Sequence, residues 1–159
     1  MTRKRARVAI VLVIALAVVM SAGRAVEGQP RPAKTPRIGY ISGGSPQVVA
    51  RTVDALKQGL RDLGYVEGQN LLIEYRFAEG RFERLPDLAA DLVRLNVDVI
   101  VAQGDPVIAA AKQATKTIPI VMLSVGDPVG RGFVASLARP GGNITGVSNM
   151  AVALMGKWL

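Results

Sequence analysis

The chain has 159 residues, 50% of them apolar, and a formal net charge of +8, which is long enough and apolar enough for one domain with a real core and argues against disorder. Five of the 20 basic residues (Arg3, Lys4, Arg5, Arg7 and Arg24) precede Val26, leaving 15 against 12 acidic ones; with aromatics at only 4%, a nucleic-acid partner finds neither the charge nor the stacking platform it needs. There is no cysteine and no histidine, which excludes disulfides, thiolate nucleophiles, Ser-His-Asp triads and the commonest zinc ligands.

Residues 1–25 have a basic start (Arg3-Lys4-Arg5-Ala6-Arg7), an apolar run from Val8 to Met20, and the small residues Ser21-Ala22-Gly23-Arg24-Ala25. That is the pattern of a cleavable signal peptide, with Gly23 and Ala25 as the small pair and cleavage expected after Ala25. The thirteen apolar residues fall short of the roughly 20 that a spanning helix needs. Residues 26–36, with Pro30, Pro32 and Pro36, read as an extended leader.

The folded part opens with a short strand at Arg37–Ile41, followed by Ser42-Gly43-Gly44-Ser45-Pro46. Ser45 is placed to cap a helix that Pro46 begins, and Val49, Val53, Leu56, Leu60 and Leu63 keep helical spacing up to Gly64. From Leu71 to Phe77 the pattern alternates, which predicts a strand near an edge with Glu74 and Arg76 facing outward. A second helix runs through Leu85, Leu88, Ala89, Leu92 and Val93.

Val97-Asp98-Val99-Ile100-Val101-Ala102 carries one charge and many β-branched residues, the habit of a strand buried on both faces at the centre of a parallel sheet. Gln103-Gly104-Asp105-Pro106 ends it, with Asp105 expected to cap an alanine-rich helix over 106–115. A fourth strand is predicted at Ile118–Leu123, left through Ser124-Val125-Gly126-Asp127-Pro128. A short helix over 129–138 and a fifth strand at Ile144–Val147 complete the series. Strands alternating with helices in this way imply a doubly wound α/β fold, a parallel sheet of about five strands with helices on both faces.

In open α/β sheets ligands settle beyond the carboxyl ends of the strands, so three clusters are candidate ligand-binding residues. Ser42, Gly43, Gly44 and Ser45 would bring backbone N–H groups to a carboxylate or phosphate, although an ordinary strand-to-helix turn explains the same residues. Gln103, Gly104 and Asp105 follow the central strand; capping accounts for Asp105, and Gly104 serves either a close ligand or the turn alone. Ser124 and Asp127 follow the fourth strand, where Asp127 either pairs with a ligand ammonium or makes an Asp-Pro turn. Gly-x-Gly-x-x-Gly and Gly-Lys-Ser/Thr loops are absent, so no nucleotide cofactor, no metal and no catalytic residue is expected.

The motifs Gly64-Tyr65-Val66-Glu67-Gly68-Gln69-Asn70, Leu85-Pro86-Asp87-Leu88-Ala89 and Thr117-Ile118-Pro119-Ile120-Val121 go further, as does Asp127-Pro128-Val129-Gly130. With Ser136-Leu137-Ala138-Arg139-Pro140-Gly141-Gly142-Asn143-Ile144-Thr145-Gly146, they make the sequence from Arg37 to Lys157 similar to the ABC-transporter substrate-binding proteins of type I periplasmic-binding fold, in the group associated with tryptophan and other aromatic amino acids. The resemblance implies an exported, non-enzymatic receptor that captures a small molecule between two lobes and delivers it to an importer permease in the membrane, with an extracytoplasmic location. It implies that 37–148 is the N-terminal lobe and 149–159 the start of a crossover to a second lobe, the chain being cut off at Leu159. Where the family commonly has Gly-Thr after the central strand this chain has Gly104-Asp105, which puts one ligand contact in doubt. The competing reading is a Rossmann-like nucleotide-dependent enzyme, which lacks the glycine fingerprint and sits poorly with export; a repressor's sensing half lacks a preceding helix-turn-helix.

Overall fold

The computed structural model describes residues 34–148. The expected signal peptide, most of the leader and the expected crossover at 149–159 lie outside the described residues. Arg37–Ser42 is β1, Pro46–Asp62 α1, Leu72–Phe77 β2, Leu85–Arg94 α2, Val99–Gln103 β3, Asp105–Ala114 α3, Ile120–Val125 β4 and Ile144–Ser148 β5, with a 3-10 turn at Phe82–Arg84 before α2. All five strands pair in parallel, in the order β2-β1-β3-β4-β5, so the α/β, parallel-sheet expectation holds. β3 is the middle strand, as its unbroken apolar run requires.

The strand pleat sorts the core into two layers. Ile38, Tyr40, Val99, Val101 and Val121 form one cluster with Val49, Leu56 and Leu60 of α1. Ile41, Ile100, Ala102 and Ile120 form the other with Ala89 and Leu92 of α2 and Val107, Ile108 and Ala111 of α3. Leu92 is fully buried over Gly39, where a Cβ would come within 3.0 Å of its Cδ1; burying such a side chain is worth roughly 1.5–3 kcal/mol. α1 therefore covers one face of the sheet and α2 and α3 the other, and the strand order reverses between β1 and β3, the place where open α/β sheets take their ligands at the carboxyl ends.

Four expectations need correction. No helix forms over 129–138. Asp127 Oδ1 accepts the Gly130 N–H at 2.8 Å, and Phe133 and Val134 N–H both donate to the Pro128 carbonyl, so proline, two glycines and an Asp-centred turn draw the chain into successive turns instead. Strands thus alternate with three α-helices, and β4 reaches β5 through a loop. The central strand starts at Val99 and not Val97, because the Asp98 carboxylate is turned aside to accept the Arg37 N–H at 2.8 Å and to pair with Lys34 at 3.1 Å. β4 runs to Val125, so Ser124 lies within it, at φ 56, where the pairing with β5 is irregular between Met122 and Val125.

The last correction concerns the edge strand. β2 is at the edge, as expected, but Glu74 and Arg76 do not face open solvent. Arg76 is clamped to Asp91 of α2 at 2.6 Å, with Glu74 at 3.7 Å from Arg76 and Arg94 at 3.1 Å from Asp91. The two guanidinium groups hold the Asp91 carboxyl below the ordinary aspartate value, the Arg76 hydrogen bond contributing most.

Candidate functional site

Because the strands are parallel, the ends of β1, β3 and β4 lie on one rim. Ser42 stands opposite Gln103 and opposite Phe77, and Gln103 stands opposite Leu123. The rim therefore gathers Ser42, Gly43, Gly44 and Ser45 from the turn after β1 with Gln103, Gly104 and Asp105 from the junction of β3 and α3. Ser124, exposed on β4, and Asp127, exposed two residues beyond it, lie at the same end of the sheet.

Each turn has its own supports. The Ser42 hydroxyl, in a residue only 2% exposed, accepts the Gly44 N–H at 3.2 Å. The Ser42 and Gly43 carbonyls accept the Ala78 and Gly80 N–H groups at 2.9 and 2.8 Å, which fastens the turn after β1 to the loop after β2. Ser45 occupies the cap position of α1, yet its side chain makes no capping bond, and the first turn of that 17-residue helix contains no acidic residue. The expected side-chain cap is thus absent, and the positive end of α1 faces the rim without a resident anion.

Asp105 is not a cap either. The carbonyl of Gly104 accepts the Val107 and Ile108 N–H groups, which makes Gly104 the cap and Asp105 the first helical residue. Gly104 has φ 92 with open space where a Cβ would stand, so the left-handed turn alone accounts for glycine there. Relieved of capping, the Asp105 carboxylate pairs with Arg131 at 3.2 Å. Lys112 of α3 also donates to the Gly132 carbonyl. Together these contacts fasten the β4–β5 loop to α3.

Gln103 meets a residue that the sequence reading did not single out. The hydroxyl of Tyr40 donates to Gln103 Oε1 at 2.6 Å. Tyr40 is fully buried, its ring 6.0 Å from that of Tyr75 and 6.1 Å from that of Phe77, while Tyr75 and Phe77 stack with their centroids 6.0 Å apart. Burial pushes the Tyr40 hydroxyl up to about 12. It does the same for Tyr75, raised to about 12 against the opposing ammonium of Lys57, which lies 5.3 Å from the Tyr75 ring centre.

Phe82 was missed as well. It is 53% exposed, and its Cε1 lies 2.6 Å from where a Cβ on Gly43 would be; only a glycine lets the ring lie so close to the turn after β1. The signal in the sequence was an aromatic residue isolated among charges, Arg81-Phe82-Glu83-Arg84, just past a strand end. Asp127 uses one carboxylate oxygen for its turn, so the turn chemistry anticipated for it is present. A cleft of about 170 Å³ lined by Lys57, Arg61, Tyr65, Glu67 and Ile73 among others is at the opposite end of the sheet. Among the described residues no group of three or more acidic, histidine or cysteine side chains is placed to hold a metal ion.

A parallel sheet whose strand order reverses between β1 and β3, with three polar turns on the rim at the carboxyl ends of its strands, makes an open α/β lobe. The model of the family "ABC transporter substrate binding protein" matches residues 43–155, and the chain belongs to that family. It is 39% identical over 102 residues to a tyrosine-binding protein of Clostridioides difficile strain R20291, a match covering 62% of this chain and 30% of the other. Among solved structures it is similar to a conserved domain protein of Vibrio cholerae (TM-score 0.71, 36% identity, 79% of this chain and 43% of that one). It is also similar to a ligand-free, open substrate binding protein with adhesive properties from Clostridium difficile (TM-score 0.68, 30% identity, 72% and 39%). A third similar structure is an ABC domain from a Streptococcus, in complex with L-Trp (TM-score 0.64, 28% identity, 72% and 39%). The chain thus spans less than half the length of each of these relatives.

Proposed function

We propose that the chain is the N-terminal lobe, over residues 37–148, of an exported solute receptor that captures an amino acid or related carboxylate and hands it to an ABC importer permease. In this reading residues 1–25 direct export, the location is periplasmic or otherwise extracytoplasmic, and the lobe performs no chemistry. The ligand lies between this rim and a second lobe that closes over it by a hinge motion. The observation that carries the reading is the register of Ser42 against Gln103, which sets the turns of β1 and β3 side by side in a family of substrate receptors.

The roles divide by charge. A ligand carboxylate belongs at Ser42, Gly43, Gly44 and Ser45, where α1 presents its uncapped positive end; Gln103, Gly104 and Asp105 line the floor; Ser124 and Asp127 answer a ligand ammonium. The tyrosine-binding and L-Trp-bound relatives make aromatic amino acids the first ligands to try. Isothermal titration of the two-lobed receptor with the common amino acids tests this. Gln103→Ala and Asp127→Ala should each weaken binding by more than about 1 kcal/mol, the size of a lost polar contact, and unchanged affinity in both discards the site. Residues 26–159 alone should bind weakly or not at all, since one lobe supplies half a cleft; tight stoichiometric binding by that piece overturns the two-lobe requirement.

A further inference from the structure

We propose that Tyr40 is a positioning residue that holds the side-chain amide of Gln103 in one orientation, Oε1 inward and Nε2 outward, so that Gln103 reads a hydrogen-bond acceptor in the ligand. The inference rests on the receptor reading of the rim, and it specifies the kind of ligand atom that reaches the end of β3.

The argument begins with the donor. Tyr40 is on the buried face of β1 shared with α1, its ring enclosed by Tyr75 and Phe77, and its hydroxyl reaches the Gln103 oxygen at 2.6 Å. A glutamine amide has one acceptor end and one donor end. With the oxygen taken by Tyr40, turning the amide over would set its NH2 against the tyrosine hydroxyl and exchange this 2.6 Å bond for the Ser42 hydroxyl as that buried group's remaining neighbour, a loss of one acceptor. The hydroxyl remains protonated far above neutral pH, so the lock does not open in ordinary conditions. Nε2 has no protein partner among the described residues, and it is not among the buried polar atoms that lack one, of which Tyr75 Oη is the sole example there. It is therefore not sealed in the interior, and it keeps two protons to donate at the rim.

The consequence for selectivity is direct. An amide free to rotate accepts either a donor or an acceptor, whereas this one offers donors alone and so favours a carboxylate or carbonyl oxygen over an ammonium or hydroxyl proton. Asp105, the neighbouring polar side chain, is an acceptor that pairs with Arg131 and not with Gln103 Nε2.

The test uses the two-lobed receptor and begins without ligand. Nuclear magnetic resonance should show the Gln103 side-chain NH2 as two dispersed signals, identified by their loss in Gln103→Glu. In Tyr40→Phe they should move toward the positions of a free glutamine. Titration with L-tyrosine and L-tryptophan should shift the wild-type signals. Tyr40→Phe should bind about tenfold more weakly and Gln103→Glu at least about tenfold more weakly, as expected for a lost or reversed hydrogen bond. NH2 signals unmoved by Tyr40→Phe overturn the positioning role, and full affinity in Gln103→Glu overturns the donor role. If neither amino acid binds the wild type, the receptor reading falls for these ligands, while the ligand-free spectra still decide whether Tyr40 holds the amide. Should Tyr40→Phe fail to fold, Gln103→Leu reads the same bond from the rim: a slowly exchanging Tyr40 hydroxyl proton in the wild type must disappear in the variant, and its persistence refutes the lock.

Discussion

The ring of Phe82 stands where a side chain at position 43 would have to go, 2.6 Å from Cε1 to the point of a Gly43 Cβ. The ring is 53% exposed and can swing away, so Gly43→Ala should cost no more than about 1 kcal/mol of stability, in the range of a surface change with limited strain. Its effect should appear at the rim. On the receptor function proposed above, Gly43→Ala and Phe82→Ala should each lower affinity for the amino acid that the wild type binds while leaving the melting temperature within a few degrees, measured by titration and calorimetry on the same samples.

Asp105 and Arg131 make a second, weaker tie. The Arg131 side chain is 63% exposed, and exposed ion pairs are worth about 0–1 kcal/mol. A double-mutant cycle with Asp105→Asn and Arg131→Gln, read by chemical denaturation, should give a coupling energy in that range and shrinking with salt. A coupling of several kcal/mol would mean that the β4–β5 loop depends on this pair far more than its exposure allows.

Asp91 sets an acid limit. Its carboxyl is held below the ordinary aspartate value by Arg76 and then Arg94. A depressed folded value means that the stabilisation is present above the unfolded aspartate value, about 3.9, and is lost as pH falls through the lower folded one. Denaturation followed from neutral to strongly acidic pH should show stability dropping in that window, and Asp91→Asn should flatten the acid limb relative to wild type.

The tyrosines set the alkaline counterpart. Tyr40 and Tyr75 are both raised to about 12, where an ordinary tyrosine ionises near about 10. A raised folded value gives stabilisation that is complete below the unfolded value and is lost as pH rises through the folded one. Tyrosinate absorbance should therefore show two residues ionising only near pH 12, along with unfolding. Tyr75→Phe should remove one of them.

Much of this arrangement could be read in the chain because its signals are local or periodic. β3 declares itself by an apolar run that only a doubly covered strand tolerates, and α1 by the spacing of Val49, Leu56 and Leu60. The three rim turns followed from strand ends marked by glycine and proline. What could not be read depends on contacts between residues far apart in the chain. Asp105 looks like a cap until Arg131, 26 positions later, supplies another partner, and nothing near Tyr40 tells that its hydroxyl ends on Gln103. The segment 129–138 misled because its apolar spacing is helical while Pro128, Gly130 and Gly132 favour turns, and the backbone followed the turns. Glu74 and Arg76 looked solvated because an alternating strand gives no notice of the helix that will lie over its polar side.

That charged underside of β2 bears on how the molecule behaves in a crowded solution. An outermost strand exposes unpaired backbone groups that invite a neighbour to extend the sheet, and Leu72, 39% exposed, adds an apolar foothold. Any strand arriving there would have to settle its own side chains beside the half-buried Arg76, Glu74 and Asp91, with no charges of its own arranged to match. The same clamp that joins α2 to the edge thus makes that edge a poor template for fibrils.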